Sequence, residues 1–309
     1  MAIVASELSI QAPKQVVMVR PHRFQSNPQT MADNSFQRAI DTQNSAESAY
    51  LEVTNAVAKL RSYGVNVHLF EDLLGNTPDS VFPNNWFSSH HNGMLVTYPM
   101  YAVNRRLEYR DDIIEFLCSH YALNTRVDLR SYADQQLFLE GTGSIVFDHQ
   151  NRLAYACRSK RTDEHLLNSV CQQLGYQAVV FDAHNHAGVA VYHTNVLMCV
   201  GSGYVMICMD MVSESDRERL KMHFEANNQS IIALTETQIE HFCGNAIELQ
   251  GDDGLVLALS QTAYIALTVQ QKSLLETFVT LVPLAVPTIE SAGGSVRCMI
   301  AGIHHPQLH

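Results

Sequence analysis

The sequence contains few positively charged residues, and this excludes several classes of partner. Its 309 residues include 20 Lys and Arg against 31 Asp and Glu, giving a formal net charge of −11. Nucleic acids and anionic membranes are bound by clustered positive surfaces, so we expect neither as a partner. A small cationic or zwitterionic amino acid fits this charge better. A homodimer is compatible with the sequence.

Long apolar runs and a leader segment are also missing. The longest apolar candidate, Phe278–Val286, is less than half the length that crosses a bilayer and contains Pro283. Met1–Lys14 lacks a basic start followed by an apolar stretch. The seven cysteines form an odd number without CxxC spacing, which is typical of a reduced compartment. We therefore expect a cytoplasmic protein.

Apolar patterns predict a repeated order of helix, strand, loop and hairpin. A helix over Ala46–Tyr63 ends before Gly64, and alternating apolar residues at 65, 67 and 69 predict the strand that follows. The same order recurs with helices at Glu108–Tyr121, Thr162–Leu174, Ser213–Ala226 and near Gln270–Thr280, and with hairpins at Ser144–Cys157, Val196–Met209 and Ala246–Leu259. Ser213 and Asp216 have the spacing of a capping box. The pattern predicts an α/β protein built from repeats.

One polar or reactive residue precedes the hairpin of each repeat. Counted back from the C-terminal end, intervals of 53, 52, 53, 55 and 58 residues connect the series Cys298, Asn245, His193, Glu140, Asn85 and Asn27. Repeats that cannot bury their own apolar faces pack on their neighbours, and five of them can close into a ring. We therefore expect one domain over residues 1–309, with the N-terminal repeat completed by the C-terminal strands and the loops meeting at a central active site.

Three of these residues could carry out chemistry together. Cys298 follows a glycine-rich stretch, which allows a close backbone approach to a ligand. A thiol becomes nucleophilic when a base accepts its proton, and His193 lies in an equivalent loop. Glu140 could orient that imidazole or hold a substrate nitrogen, and the sequence leaves both roles open. Taken singly, such a cysteine is more often structural and such a glutamate more often solvated.

The histidines suggest a metal, but their spacing does not. The doublets at 90–91 and 304–305 have neither HExxH nor CxxC-type spacing. Asp182, His184 and His186 form the best remaining metal candidate. We predict neither a metal nor a cofactor.

The motifs resemble those of the arginine deiminase and amidinotransferase superfamily over nearly the whole chain. They are Glu-Gly-x-Gly from 140, His-Thr-Asn from 193, Gly-Asn-Ala-Ile-Glu from 244, Gly-Gly-Ser-Val-Arg-Cys from 293, and the two N-terminal blocks at 19–28 and 82–87. The combination is most similar to the citrulline-utilisation hydrolase branch. The resemblance implies a five-bladed α/β propeller, the pentein fold. It also implies that Cys298, His193 and Glu140 are the catalytic residues, with Cys298 as the nucleophile, His193 as the acid–base group and Glu140 holding either that histidine or a substrate nitrogen.

Two departures from the superfamily bear on the substrate. Relatives that deiminate arginine hold its guanidinium with two Asp residues, and the corresponding positions here are His90 and Asn195. Because a buried cation without facing carboxylates is unstable, these changes favour a neutral ureido substrate. The candidate substrate-binding residues are Asn85, His90, Asn195, Asn245, Asn27, Arg23 and Arg297.

Hydrolysis of citrulline to ornithine, ammonia and carbon dioxide is therefore the favoured interpretation. An arginine or methylarginine hydrolase or an amidinotransferase on the same fold is the first alternative. An amino-acid-binding protein without activity is the second.

Overall fold

The computed structural model describes residues 10–31, 34, 36–38 and 42–308, with only the backbone of 42–44. Its strands are β1 (Gln15–Pro21), β2 (Asn66–Asp72), β3 (Phe87–Ser89), β4 (Met94–Thr97), β5 (Thr125–Asp128), β6 (Val146–Asp148), β7 (Leu153–Cys157), β8 (Gln177–Phe181), β9 (Met198–Gly201), β10 (Tyr204–Ile207), β11 (Ser230–Ala233), β12 (Ile247–Gln250), β13 (Leu255–Ser260), β14 (Thr280–Leu284) and β15 (Ala301–Ile303).

Its α-helices are α1 (Thr42–Ser62), α2 (Asp111–His120), α3 (Gly141–Ser144), α4 (Glu164–Leu174), α5 (Thr194–Leu197), α6 (Glu214–Ala226), α7 (Glu236–Glu240), α8 (Gln261–Ala266), α9 (Val269–Leu275), α10 (Pro287–Glu290) and α11 (Val296–Met299). Short 3-10 helices occupy Pro83–Asn85, Val103–Glu108, Arg130–Gln135 and Met209–Met211.

The strands of the described chain form five three-stranded sheets of one design. In each sheet the middle strand is antiparallel to one neighbour and parallel to the other, as in β6-β7-β8. The sheet β15-β1-β2 is built from both ends of the chain, with Gln15 paired to Ile303 on one side and Asn66 on the other. This confirms that the C-terminal strand completes the N-terminal repeat. The five sheets fit the predicted fivefold repeat.

Helix α4 illustrates why the sequence forms these repeats. Asp163 caps its start by accepting the N–H of Leu166, and Gly175 ends it in the left-handed region at φ 75°. The apolar residues of one helix face, including Leu167 and Val170, are buried with residues of β6, β7 and β8. The helix therefore covers the sheet that its own repeat supplies.

Two local predictions differ from the structure. Within the described residues the Ser213 side chain donates to the Asp216 carboxylate instead of capping α6. The same carboxylate oxygen also accepts the N–H of Asp182, so Asp216 is held away from the capping geometry. The capping-box prediction is therefore wrong. Helix α8, which the periodicity did not predict, begins at the cap Ser260 and precedes α9.

The strand that follows each candidate site residue is here called a lead strand; the lead strands are β3, β6, β9, β12 and β15. Lead strand β15 lies against β3, and β9 lies against both β6 and β12. The turns before them also meet, since α3 contacts α5 and the 3-10 helix Pro83–Asn85 contacts α11. The loops that carry the candidate residues are thereby brought together. No helix in the described ranges has the length and apolarity needed to cross a membrane.

Candidate active site

The candidate residues occupy equivalent local positions in the repeats. Glu140 and His193 each stand immediately before a four-residue helix, α3 or α5, that leads into a lead strand. Cys298 lies inside the corresponding helix α11, and Asn245 precedes β12. All four side chains are buried. The segment that leads into a lead strand therefore presents a different functional group in each of these four repeats.

Glu140 and His193 form a buried pair, with Oε2 of the carboxylate 2.8 Å from Nε2 of the imidazole. The other carboxylate oxygen accepts the N–H of Tyr101 at 2.8 Å. Burial opposes ionisation, but the Arg161 guanidinium and the His193 hydrogen bond hold the pKa of Glu140 well below its usual range. Because an ionised carboxylate only accepts, Nε2 carries the proton and Nδ1 is free to exchange one.

Burial lowers the pKa of His193, and the neighbouring Glu140 partly offsets that effect. The resting imidazole is therefore neutral and able to accept a proton at neutral pH.

Gly143 makes room for the ring, since a Cβ there would lie 2.8 Å from His193 Nδ1 and 2.3 Å from Asn85 Nδ2.

The sulfur of Cys298 accepts two amide hydrogen bonds. Asn195 Nδ2 and Asn245 Nδ2 each lie 3.3 Å from Sγ. Asn245 is itself held in place, because its Nδ2 also donates to the Asn195 carbonyl and its Oδ1 accepts the N–H of Arg297. Donors aimed at a sulfur favour its negatively charged form. The arrangement suits a thiolate nucleophile.

Cys298 and His193 line the same cavity, whose volume is about 20 Å³. Its described lining is Thr30, Asn34, Asp79, Phe82, Asn85, Arg105, Arg161, Tyr192, His193, Ala292, Gly293, Gly294 and Cys298. That space is of the order of a single water molecule. An amino acid therefore has to displace part of the wall, which includes a hydrogen bond of 2.5 Å from the Tyr192 hydroxyl to the Gly293 carbonyl.

Three buried charges of this cavity were missed by the sequence reasoning. Asp79, Arg105 and Arg161 all line it. Arg105 forms a two-pronged ion pair with Glu108, with both N–O distances 2.9 Å, and also donates to Asn85 Oδ1 at 3.0 Å. The three-residue spacing of Arg105 and Glu108 could have indicated an ion pair, but that spacing is common on exposed helices and does not predict burial.

Asp79 is the least compensated of these charges. Its Oδ2 accepts a hydrogen bond of 2.7 Å from Asn27 and lies 3.7 Å from Arg105 Nε. Its Oδ1 is buried and has no hydrogen-bond partner among the described residues. Burial raises the pKa of Asp79, and Arg105 opposes that rise. An acceptor with no partner remains beside the cavity.

Other predicted substrate-binding residues lie elsewhere. His90 contacts the Ser88 hydroxyl at 2.7 Å, Arg297 donates to the Ile300 carbonyl, and Arg23 is exposed. The described cavity lining includes Asn85 but none of these three, and Asn27 reaches it through Asp79.

A buried carboxylate, Asp79, therefore lines the cavity, although the positions named from the sequence are His90 and Asn195. His90 is outside the cavity and Asp79 is in it, because residues distant in the chain pack against the same loops.

The metal candidate named from the sequence is divided between two ion pairs. His186 Nδ1 lies 2.8 Å from Glu236, and Asp182 pairs with Arg158 at 3.1 Å. The His186 side chain is 73% exposed and that of Asp182 is 43% exposed, and in the described part of the chain they are not grouped with a third metal-type ligand.

A thiol that accepts two amide donors lines one cavity with the imidazole of a buried His–Glu pair, an arrangement that suits chemistry by a cysteine nucleophile. Comparison with known proteins identifies the family. Residues 20–305 match the family described as eukaryotic N,N-dimethylarginine dimethylhydrolase, and the chain belongs to it. This confirms the predicted guanidine-modifying superfamily. No curated protein matches in sequence.

Several solved structures share the fold. The N-terminal domain of ArgZ, an arginine dihydrolase from the ornithine–ammonia cycle in cyanobacteria, has a TM-score of 0.75 and 17% identity, covering 94% of this chain and 98% of that one. DDAH from Pseudomonas aeruginosa, complexed with citrulline, has a TM-score of 0.65 and 14% identity, covering 94% and 100%. AgrE with ornithine and NAD+ has a TM-score of 0.76 and 16% identity, covering 94% and 39%.

Proposed function

We propose that this protein is a cysteine-dependent hydrolase that acts on the guanidino or ureido carbon of a small amino acid. The observation that carries the proposal is the Cys298 sulfur, which accepts two amide donors and lines the same cavity as His193, the imidazole that is paired with Glu140. The proposal includes a single catalytic domain over residues 1–309 in which the five sheets are blades of one α/β propeller. The sheet shared by both chain ends supports that closure.

The chemistry begins with proton transfer from the Cys298 thiol to Nδ1 of His193. The thiolate attacks the central carbon of the substrate and forms a tetrahedral adduct. The C–N bond then breaks, and the imidazolium gives its proton to the departing ammonia. Glu140 stabilises the imidazolium while it exists. In the second half, His193 deprotonates a water that attacks the thio-intermediate, and the C–S bond breaks to return the thiolate.

The charges around the cavity favour a cationic head group. Arg105 is paired with Glu108, and Arg161 Nη1 lies 3.4 Å from Glu140 Oε2. Glu108 and Glu140 offset the two guanidinium charges, so Asp79 in its ionised form leaves about one negative charge beside the cavity. A guanidinium would neutralise that charge and donate N–H groups to Asp79 Oδ1. Arginine and its N-methylated forms are therefore the substrates that the geometry supports best.

Citrulline remains the second candidate because of Asn195. Its Oδ1 is buried and has no hydrogen-bond partner within the described chain, while its Nδ2 contacts Sγ. A neutral amide acceptor beside the nucleophile suits the N–H groups of a ureido carbon. Burial also raises the pKa of Asp79, which makes a neutral Asp79 compatible with a neutral substrate.

The decisive experiment is a substrate panel on the purified protein. Arginine, N-methylated arginine and citrulline are incubated separately, and citrulline, ornithine, ammonia and methylamine are quantified. We expect turnover of arginine or a methylated arginine, abolished by Cys298→Ser. Cys243→Ser is the matched control, because Cys243 is equally buried but donates to the Ala263 carbonyl outside the site. Undiminished turnover in Cys298→Ser would refute the mechanism, and binding without any turnover would favour the amino-acid-binding alternative.

A further inference from the structure

Three histidines gather at the other ends of the lead strands. The active-site residues precede these strands, whereas His91, His149 and His304 follow β3, β6 and β15. One possible ligand atom from each ring lies within 4.8 Å of the others, and the described residues contain one such group. The rings of His149 and His304 have centroids 4.0 Å apart. The cluster is therefore separate from the active site.

The hydrogen bonds of the cluster orient lone pairs. His91 Nε2 lies 2.9 Å from the Ile10 carbonyl, which only accepts, so Nε2 carries the proton and Nδ1 has the lone pair. His149 Nδ1 lies 2.7 Å from the Tyr176 hydroxyl, and in the tautomer in which Nδ1 donates to that oxygen the lone pair is on Nε2. His304 Nδ1 is buried and has no hydrogen-bond partner in the described ranges. Metal-ligating histidines commonly have their second nitrogen held by a carbonyl or another polar group.

A cavity of about 40 Å³ beside His149 and His304 has space for a water. Arg297 and Glu248 line the same cavity with opposite charges.

We propose that His91, His149 and His304 form a three-histidine site for a divalent transition-metal ion, with zinc as the best fit. Imidazole nitrogens suit zinc, and three protein ligands plus one water complete a tetrahedral site. Zinc–nitrogen bonds of about 2.0–2.1 Å place ligand nitrogens about 3.4 Å apart, so side-chain shifts of about 1 Å assemble the site. The sequence prediction of no metal relied on local motifs, whereas these ligands come from three sheets.

The position of the ion suggests its role. His304 follows the strand of the sheet that holds both chain ends, and the other two ligands follow β3 and β6 of two further sheets. An ion bound to all three links these sheets. Because it binds the folded chain and not the separated strands, it stabilises the folded state.

The test measures metal binding and stability without using activity. Metal-free Cys298→Ser protein is titrated with Co²⁺, and binding is followed by visible d–d absorption. The Cys298→Ser substitution removes the catalytic thiol as a possible ligand. We expect one equivalent with a tetrahedral band, and no band in His91→Ala. His165→Ala is the matched control, because His165 is an exposed histidine on α4. Zinc at about 100 times its Kd should raise Tm by about 5 °C in the control and leave His91→Ala unchanged.

His91 is exposed, so its replacement leaves the core packed and the comparison remains interpretable. His149→Gln, which alters a buried ligand, should also abolish the band and supports the assignment if it does. The proposal is overturned if His91→Ala retains the band and the rise in Tm. It is equally overturned if the Cys298→Ser protein binds no cobalt, which would leave a stack of aromatic rings only.

Discussion

Replacing Glu140 by Gln tests the core of the site because it removes one charge with little change of shape. The carboxylate lies 2.8 Å from His193 Nε2, 3.4 Å from Arg161 Nη1 and 4.0 Å from Arg105 Nη1. All of these groups are buried, so water cannot replace the lost charge. Breaking such a buried pair costs about 3–5 kcal/mol, and losing the support of the imidazolium should lower kcat by about 10²–10⁴.

The stabilisation that Glu140 contributes also depends on pH, in a direction that its pKa predicts. The pKa of Glu140 is lowered in the folded protein, so its stabilisation is fully present above the ordinary value of about 4.5 and is lost as pH falls toward the folded pKa. The difference in unfolding free energy between wild type and Glu140→Gln should therefore be largest near neutral pH and shrink in acid. Denaturant unfolding at several pH values measures it, alongside turnover.

A surface carboxylate is the control for that experiment. Glu164 pairs with Arg158 at 3.1 Å, and about half of each side chain is exposed. Glu164→Gln should cost less than about 1 kcal/mol and leave kcat unchanged. The account of Glu140 is refuted if Glu140→Gln turns over substrate at the wild-type rate, or if the two variants are equally stable at neutral pH.

Three further substitutions test Asp79, Asn245 and Gly143, and Asp79 also predicts a pH dependence. Asp79→Asn should lower kcat/KM for arginine by about 10–100-fold, because it removes a charged hydrogen bond to the guanidinium, and should have little effect on citrulline. Equal losses for both substrates would contradict this. Because burial raises the pKa of Asp79, arginine KM should increase as pH falls through that raised pKa, and a substrate titration at each pH checks this. Asn245→Ala should lower kcat more than KM by removing a donor 3.3 Å from the Cys298 sulfur, and an iodoacetamide labelling rate equal to that of wild type would argue against it. Gly143→Ala should abolish turnover, because its Cβ would lie 2.8 Å from His193 Nδ1, and full activity would show that the ring is free to move.

The repeat was visible in the sequence because it arises from local physics. Apolar periodicity and stop signals such as Gly175 depend on neighbours a few residues away, and they located the helix α4 and its sheet. The interval between Glu140 and His193 can be counted in the sequence, and it indicated that the two residues occupy equivalent positions in their repeats. Helix α8 was missed because its apolar pattern is too short to be distinguished from a loop.

The sequence by itself determined the fivefold order and the residues Cys298, His193 and Glu140 as one group, because each precedes the lead strand of its repeat at a regular interval. Only the tertiary structure decided which charges face the cavity. Asp79 belongs to no repeated position, and His90 points to another environment despite its place in a recognisable motif. The histidine cluster is likewise a product of three sheets meeting. Contacts between residues far apart in the chain depend on how the sheets pack, and local spacing does not encode that packing.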